Sequence, residues 1–349
     1  RVPMSVGVGG AGRRGGSGVR SGRASGATLT GDEWLSRRPV RRSTGRLGRM
    51  GARIESTEAG TAPLTVRGGL VLHGASFDLT VASAQVKSAL LLAGLYAQGM
   101  TVVNEPGISR DHTERMLASF GVEVPVSGLR CQVAGGQRLT ATAIQVPADL
   151  SSAAFPIVAA LIAQGSDVLL PGVGVNPSRA GVLKILEMMG AQLSLLNVRA
   201  AGAEPIADLH VIAGPLQGVD VPSALVPLAI DEFPALLVAA AVAKGTTRIT
   251  GAAELRVKES DRIAAMARGL EAVGVQVEEA EDGITVHGGG VRGGVVDSLG
   301  DHRIAMSFAA LGAVAADGIE IRDVANVQTS FPGFIDAMSG LGLNIEQLP

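Results

Sequence analysis

The sequence predicts an α/β fold made of repeated βαβαββ units in two domains. One pattern recurs four times: a helix of small residues, a glycine-led turn, a β-rich strand, a polar connector, a second helix and a further strand. The 349 residues are enough for two domains with separate cores. Forty-eight glycines and 3% aromatic residues indicate tight turns and a core of Ala, Val, Leu and Ile, which suits many short α/β units.

The first helix of each copy places the four copies along the chain. The first copy covers residues 83–124, and the second covers residues 151–193. The third and fourth copies begin at Asp231 and Asp301. Residues 39–56 match the closing helix and strand of an earlier copy. We therefore expect the order helix, strand, helix, strand in every copy, with the last strand of the fourth copy following Gly342.

Each first helix begins with a residue that commonly caps helix N-termini. These residues are Ser83, Ser151, Asp231 and Asp301, and Ser or Asp side chains accept hydrogen bonds from the first backbone N–H groups of a helix. The four residues could be simple caps, or several helix N-termini could converge on one cleft. Polar residues that follow the cap favour a site at Ser83, Asp231 and Asp301, whereas Ser151 is predicted to be a simple cap.

Composition and charge exclude several classes of protein. The formal net charge of −2 gives no electrostatic reason to expect nucleic acid binding. A single cysteine, Cys131, excludes internal disulfides and a cysteine-based metal site, and a reducing cytoplasm is its natural setting. The longest apolar runs, such as residues 235–243, are shorter than the about 18 residues that a membrane-spanning helix needs. We expect a cytoplasmic protein with neither nucleic acid nor membrane partners.

The histidines give no indication of a metal site. Four of the five lack the spacing of metal ligands, namely His73, His112, His210 and His287. The fifth, His302, either hydrogen-bonds a phosphate or packs at the start of its helix. The sequence therefore predicts no metal and no cofactor.

The first 50 residues differ from the rest of the chain. They contain eleven arginines, twelve glycines and only two acidic residues. Residues 13–26 are almost entirely Arg, Gly and Ser and have no apolar face to bury, so we expect residues 1–26 to be poorly ordered. Alone, this segment is also typical of a flexible Gly/Arg-rich region that contacts RNA.

Residues 256–262 are the most informative stretch for function. They carry Lys258, one arginine at each end of the run and two carboxylates, Glu259 and Asp261. The run lies at the head of an amphipathic helix. Helix N-termini favour anions, because their free N–H groups and the helix dipole point toward the ligand. An anion site and a solvated charge cluster are both compatible with this run alone.

Five motifs carry a resemblance to a known family. They are LTGDEWLSRRP (residues 29–39), ASAQVKSALLLAGL (82–95), ISRDHTERML (108–117), ELRVKESDRIAAM (254–266) and GDHRIAMSFAALG (300–312). Together and in this order, they resemble the EPSP synthase family, the 3-phosphoshikimate 1-carboxyvinyltransferases. The resemblance implies two domains, each an inside-out α/β barrel of three βαβαββ units. It implies enolpyruvyl transfer from phosphoenolpyruvate to the 5-hydroxyl of shikimate 3-phosphate, with release of phosphate, on the shikimate pathway to chorismate and aromatic amino acids.

The resemblance also implies the domain boundaries. Residues 1–146 correspond to most of a first domain, on the shikimate 3-phosphate side, whose beginning lies before Arg1. Residues 147–349 correspond to the second, phosphoenolpyruvate and catalytic side. The family's early Lys-Ser pair and following Arg have no counterpart here, and only glycines match its Asn-Ala-Gly-Thr loop, at residues 7–11. We therefore expect little or no activity from these 349 residues alone.

The family's substrate contacts can be transferred to individual positions. Ser83, Ala84, Gln85 and Ser109 resemble the contacts to shikimate 3-phosphate. Arg38, Arg262 and Arg303 resemble a guanidinium clamp on the phosphate and carboxylate of phosphoenolpyruvate, because a guanidinium suits bidentate binding of such groups. Lys258 is implied to bridge the two substrates, and His302 is the remaining candidate phosphate ligand.

Two acids are implied to move protons. Asp231 resembles the residue that holds the 5-hydroxyl and takes its proton. Glu259 resembles the residue that protonates the methylene carbon of phosphoenolpyruvate and later removes a proton from the methyl group. We place Glu259 on one helical stripe with Ile263, Met266 and Leu270, where partial burial suits acid–base work.

Two other functions compete with this interpretation. A UDP-N-acetylglucosamine enolpyruvyl transferase shares the implied fold and phosphoenolpyruvate, but it is expected to have a reactive loop cysteine, whereas Cys131 lies in a strand-like context. An inactive repeat scaffold or RNA-binding protein is supported only by residues 1–26. The favoured interpretation is a monomeric enzyme with two small-molecule substrates.

Overall fold

The computed structural model describes residues 2–5, 10–23, 25–30, 36 and 39–348. The chain divides into two compact units, Arg1–Ile144 and Gln145–Pro349. This division lies close to the boundary after residue 146 that the sequence predicts.

The described residues of the first unit form two four-stranded mixed sheets and one short parallel pair. The strand orders are β1-β2-β4-β3, β6-β8-β10-β9 and β5-β7. Cys131 pairs with Val103 within the second sheet. The elements are β1 (Val2–Ser5), α1 (Gly10–Ser21), β2 (Ala27–Thr30), α2 (Arg41–Arg49), β3 (Arg53–Glu55), β4 (Leu64–Arg67), β5 (Leu72–His73), β6 (Ser76–Asp78), α3 (Ala84–Gly94), β7 (Ala97–Gln98), β8 (Met100–Asn104), α4 (His112–Ser119), β9 (Val126–Ser127) and β10 (Arg130–Ala134).

Helix α1 occupies the Arg/Gly/Ser segment in which the sequence analysis expects no regular element. Its small residues lie close to α3: a Cβ added at Gly18 would come within 2.3 Å of the carbonyl oxygen of Ala89. Ser17 and Ser21 are fully buried, and the Ser21 hydroxyl donates to the carbonyl of Ser17. The expectation of no buried face was therefore wrong for α1, because glycine lets one helix backbone pack directly on another without apolar side chains.

Replacing Gly18 with alanine is expected to destabilise the first unit by about 1–3 kcal/mol, because the new methyl group would overlap the Ala89 backbone. Gly16→Ala is the matched control, since nothing lies within 4 Å of its added Cβ. This control should stabilise the helix by up to about 1 kcal/mol. Urea unfolding of both variants provides the measurement. Equal stabilities would show that α1 does not pack on α3.

The second unit contains two three-stranded antiparallel sheets and a parallel pair. The strand orders are β11-β13-β12, β14-β16-β15 and β17-β18. The elements are α5 (Leu150–Ile162), β11 (Asp167–Gly174), α6 (Gly181–Met188), β12 (Gln192–Ala201), β13 (Glu204–Ile212), a 3₁₀ turn (Ser223–Leu225), α7 (Val226–Ala229), α8 (Phe233–Val242), β14 (Thr246–Ile249), a 3₁₀ turn (Ala253–Val257), α9 (Arg262–Ala272), β15 (Gln276–Ala280), β16 (Gly283–His287), β17 (Gly294–Asp297), α10 (His302–Leu311), β18 (Ile319–Arg322), α11 (Val327–Ser330) and α12 (Phe334–Gly340).

Three helices form the centre of the second unit. Residues 153–161 of α5 and 233–241 of α8 are buried on all sides, and α10 buries seven of its ten residues. Such helices need small apolar residues all round, which explains the Ala-rich sequences. Asp231 lies just before α8, and His302 and Arg303 form the first turn of α10. The other candidate residues of this unit lie at the start of α9.

The repeat prediction is confirmed for the helices and for the closing strands of the second and third copies. In the first copy, residues 122–124 form no strand, and the two-residue β9 follows at Val126–Ser127. Each copy has a first helix (α3, α5, α8 or α10), a strand, and a second helix (α4, α6, α9 or α12). The final strand after Gly342 was predicted wrongly, since residues 343–348 form none. In the second and third copies the closing strand pairs with the other arm of a hairpin, and the described residues contain no such arm after α12.

Two of the four predicted caps are observed. The side chains of Ser83 and Asp301 accept backbone N–H groups of their helices. The cap of α5 is Asp149 rather than Ser151, and α8 begins after Glu232 without a side-chain cap. Ser151 and the two acids before α8 are therefore available for other contacts.

In the described part of the chain, no single helix is long and apolar enough to cross a membrane. The pair Ser223–Ala229 and Phe233–Val242 reaches the required length only when taken together across a bend of 119°.

Candidate active site

The first turn of α9 and the connector before it carry a cluster of opposite charges in the second unit. The Lys258 ammonium lies 2.8 Å from Glu254 Oε1 and 3.3 Å from Asp231 Oδ1. Lys258 and Asp231 are each 18% exposed, so the pair is reachable by a ligand but largely shielded from bulk water. A half-buried cation beside a carboxylate can bind an anion and hold a hydroxyl at the same place.

Arg262 lies beneath this pair and faces three carboxylates. Its Nε donates to Asp301 Oδ2 at 2.8 Å, and its Nη2 donates to Glu259 Oε2 at 2.8 Å. Its Nη1 lies 3.8 Å from Asp231 Oδ1. The side chain is 2% exposed, so in this arrangement it orders the acids rather than facing solvent. Its assignment to the phosphoenolpyruvate clamp stays a prediction.

The buried partner of Arg262, Asp301, is ionised by its surroundings. Burial opposes ionisation, but the Arg262 guanidinium and the Arg303 backbone N–H together lower the pKa of Asp301 below its ordinary value. Burial likewise disfavours the charge of Arg262, and Asp301, Glu259 and Asp231 raise its pKa. The Ser260 hydroxyl also donates to Asp301 Oδ2 at 3.0 Å.

Two contacts outside the cluster fix the connector before α9. Asp261, which the sequence places at the head of a helix, caps α9 by accepting the Ala264 N–H at 3.0 Å. Arg256 donates to Asp261 Oδ2 at 2.7 Å and to Glu279 Oε1 at 2.9 Å. Arg256 therefore ties the charged run to strand β15 instead of facing the cluster.

Glu259 lies three residues before α9, and not on the helical stripe where the sequence analysis placed it. Helix α9 begins at Arg262, and its apolar stripe starts with the fully buried Ile263. The connector is not helical at Glu259, so helical periodicity does not extend back to it. Glu259 is 28% exposed, and its contact with Arg262 sets the direction of its carboxylate.

His302 and Arg303 form the first turn of α10. The Arg303 Nη1 donates to the backbone carbonyl of Asp231 at 3.0 Å. Burial and the neighbouring Arg303 lower the pKa of His302, with Asp301 opposing them. At neutral pH, His302 is therefore a neutral hydrogen-bonding group rather than a fixed cation.

In the first unit, the cap of α3 carries the other predicted contacts. The Ser83 hydroxyl accepts the Val86 N–H at 3.5 Å, and Ala84 and Gln85 follow in the first turn, each half-buried. A small hollow beside Ser83 is lined by Arg42 and Arg46 of α2, two cations that the sequence analysis did not assign. The spacing of these arginines, four apart on one helix face, is the signal that could have found them.

Ser109 lies above a buried ion cluster of the first unit. Its hydroxyl donates to Glu105 Oε1 at 2.6 Å. The Lys87 ammonium, 3% exposed, lies 2.8 Å from both Glu105 and Glu114. Burial opposes the charge of Lys87, but the two carboxylates raise its pKa. The cluster therefore holds the Ser109 segment against α3.

The structure brings together five of the predicted site residues in the second unit: Asp231, Lys258, Glu259, Arg262 and Arg303. His302 begins the same helix as Arg303. Ser83, Ala84, Gln85 and Ser109 lie in the first unit. Arg38 lies outside the described residues.

Sequence reasoning missed two acids that complete the cluster. Asp301 was identified as a helix cap beside a site but not as the partner of Arg262, because the two residues lie 39 positions apart in the sequence. Glu254 stands four residues before Lys258, the spacing of a helical ion pair, and it makes that contact. Neither acid resembles a transferred family position, so the resemblance alone did not find them.

No group of His, Cys, Asp or Glu residues suited to a metal ion occurs among the described residues. Cys131 lies in β10 and is buried. Burial and the nearby carboxylate of Glu114 raise the pKa of its thiol to about 12. Such a thiol is unreactive, unlike a loop nucleophile.

Comparison with known proteins gives one consistent result. A family profile described as EPSP synthase (3-phosphoshikimate 1-carboxyvinyltransferase) matches residues 17–338. A 3-phosphoshikimate 1-carboxyvinyltransferase of Xanthomonas euvesicatoria pv. vesicatoria is 59% identical over 320 residues, which cover 92% of this chain and 73% of the relative. A Methylococcus capsulatus protein of the same name is 55% identical over 345 residues, covering 99% and 79%. The structure of an EPSP synthase from Acinetobacter baumannii matches with a TM-score of 0.91 and 49% identity, covering 99% of this chain and 80% of that one.

Proposed function

Because the chain belongs to the EPSP synthase family and shares its fold, we propose that it transfers the enolpyruvyl group of phosphoenolpyruvate to the 5-hydroxyl of shikimate 3-phosphate. Phosphate is the second product. The step belongs to the shikimate pathway, toward chorismate and aromatic amino acids. The single observation that supports this most directly is the half-buried Asp231–Lys258 pair, 3.3 Å apart, with Glu259 held beside it by Arg262.

We assign the addition step to two acids of this cluster. The 5-hydroxyl oxygen forms a bond to C2 of phosphoenolpyruvate and gives its proton to Asp231. Glu259 gives a proton to C3, which becomes a methyl group. General acid–base catalysis requires such groups within hydrogen-bond reach of the reacting atoms.

In the elimination step, Glu259 acts as a base instead of an acid. Glu259 takes a proton from the methyl group, the C–O bond to phosphate breaks, and the double bond of the enolpyruvyl group forms again. The proton that Asp231 accepted from the 5-hydroxyl goes to the departing phosphate, so that both acids return to their starting states. Lys258 and Arg303 are the cations that we assign to the negative charge of the substrates and the leaving phosphate. The buried Arg262 keeps Glu259 and Asp231 in place.

We propose that the first unit binds shikimate 3-phosphate. A phosphate suits the exposed N–H groups at the start of α3, beside Ser83 and Gln85, with Arg42 and Arg46 close to the same cap. A cytoplasmic monomer that binds neither nucleic acid nor membranes also remains part of the proposal. Light scattering during gel filtration would test the monomer.

The reaction is tested by phosphate release from purified protein. Phosphate should appear only when phosphoenolpyruvate and shikimate 3-phosphate are both present, together with a product that carries the enolpyruvyl group. Release that depends on UDP-N-acetylglucosamine would favour the rival transferase, which the comparisons do not favour. Binding of both substrates without turnover would support the expectation of an inactive chain. If the protein neither binds nor converts the two substrates, the proposed function is contradicted.

A further inference from the structure

The two adjacent acids before α8 have different surroundings. Asp231 faces Lys258 and is 18% exposed. Glu232 is 1% exposed, and its Oε1 accepts the hydroxyl of Ser151, a residue 81 positions earlier in the chain. Its second oxygen, Oε2, is buried and has no hydrogen-bond partner. The proposed reaction uses Asp231 and gives Glu232 no part.

Glu232 ends a chain of hydrogen bonds that connects three elements. Asp149 Oδ1 binds Arg179 Nη2 at 2.9 Å, Arg179 Nη2 donates to the Ser151 hydroxyl oxygen, and Ser151 donates to Glu232. The Ser151 hydroxyl has one proton, which it donates in the hydrogen bond to Glu232. Its oxygen is therefore the acceptor for Arg179, and the direction of each hydrogen bond is fixed. These hydrogen bonds connect the start of α5, the segment before α6 and the start of α8.

We propose that Glu232 is a positioning residue, which holds the Asp231 backbone and carboxylate in place against Lys258 and Arg303 by anchoring the start of α8 to Ser151. The inference rests on the proposed function, since it assigns Asp231 to proton transfer. Arg303 supports it from the other side, because its Nη1 donates to the Asp231 carbonyl. The start of α8 is thus held between Ser151 on one side and Arg303 on the other.

The contacts of Glu232 suit a neutral carboxyl, because Oε2 is buried without a hydrogen-bond partner and Oε1 accepts from Ser151. Burial raises the pKa of its carboxyl, while Arg303, Ser151 and Arg179 oppose this and Asp231 adds to it. A proton on the unpartnered Oε2 leaves Oε1 free to accept from Ser151. Glutamine has the same shape and can accept the same hydrogen bond, so it should replace Glu232, whereas alanine cannot.

Steady-state kinetics of two variants test this positioning role. Glu232→Ala should lower kcat by about a hundredfold while the two KM values change little, because a displaced acid slows the reaction more than it weakens binding. Glu232→Gln should stay close to wild-type kcat and keep its pH profile. Wild-type kcat in Glu232→Ala would overturn the proposal, and so would a Glu232→Gln variant as slow as Glu232→Ala.

Ser151→Ala keeps the test decisive if Glu232→Ala does not fold. It removes the donor to Glu232 and should therefore also lower kcat, as Glu232→Ala does. Ser307→Ala is its matched control, since Ser307 is also fully buried in this unit and its hydroxyl has no partner. Equal kcat values for the two serine variants would overturn the proposal.

An infrared measurement separates this inference from the proposed function. At neutral pH, the difference spectrum of wild type minus Glu232→Gln should contain the C=O band of a protonated carboxylic acid. The absence of this band would overturn the neutral role, whatever the reaction. A wild-type protein that shows the band but neither binds nor converts the two substrates would contradict the proposed function alone.

Discussion

Replacing Asp301 with alanine should lower the free energy of unfolding by about 3–5 kcal/mol, because it leaves the charge of Arg262 buried without its main partner. Asp301 is fully buried and Arg262 is 2% exposed, so water cannot replace the lost contact. The substitution also removes the side-chain cap of α10, which contributes about 1 kcal/mol of the loss. Urea unfolding of wild type and variant measures the difference.

The exposed pair Asp220–Arg248 offers a matched control. Its side chains are 78% and 56% exposed, so Asp220→Ala should cost no more than about 1 kcal/mol. A loss of that small size for Asp301→Ala would show that the ion pair of Arg262 does not stabilise this unit.

The difference in free energy of unfolding between wild type and Asp301→Ala should depend on pH, because the pKa of Asp301 is lowered in the folded state. A carboxyl whose pKa is lower in the folded state contributes stability above its ordinary value of 3.8 and loses it as the pH falls through the folded value. The gap between wild type and Asp301→Ala should therefore be constant near neutral pH and should narrow only below about 3.8. A gap that narrows already near neutral pH would contradict the assignment.

Replacing Glu259 with glutamine should lower kcat by about 10²–10⁴-fold, because the amide can neither give nor take the proton at C3. The two KM values should change much less, since the cations that bind the substrates remain. Steady-state phosphate release measures the effect, and thermal unfolding of the same variant excludes a general loss of structure.

Glu271→Gln is the control for this substitution. Glu271 lies in α9, the helix that follows Glu259, and it is exposed, so the same chemical change occurs away from the cluster. Its kcat should match that of wild type. A Glu259→Gln variant with wild-type kcat would show that another group moves the proton.

Much of the fold was predictable, because repetition and periodicity are local properties of a sequence. The helices that begin after Ser83 and Asp301 follow from residue type and spacing, and the structure has them. The strand predicted after Gly342 does not form, because a strand requires a pairing partner that the local sequence pattern does not report. Helix α1 was missed for a related reason: it packs on α3 through close backbone approach at Gly18 rather than through an apolar stripe of its own.

The residues of the candidate site likewise fall into two groups, those that a motif predicts and those that only packing brings together. Lys258, Glu259 and Arg262 lie within five residues of one another, so their motif was visible in the sequence. Asp301 lies 39 positions from Arg262, and Ser151 lies 81 positions from Glu232. No spacing rule connects residues that far apart, and only the packing of the central helices brings them into contact.

The sequence by itself determined the family, the order of most elements and the types of residue available for acid–base chemistry, because these depend on motifs and periodicity along the chain. The tertiary structure alone decided which charge faces which. It buried Arg262 among three acids, left the Asp231–Lys258 pair partly exposed, and turned Glu232 away from its neighbour toward Ser151. Burial and distance determine charge state and contact strength, and both arise only when distant segments pack together.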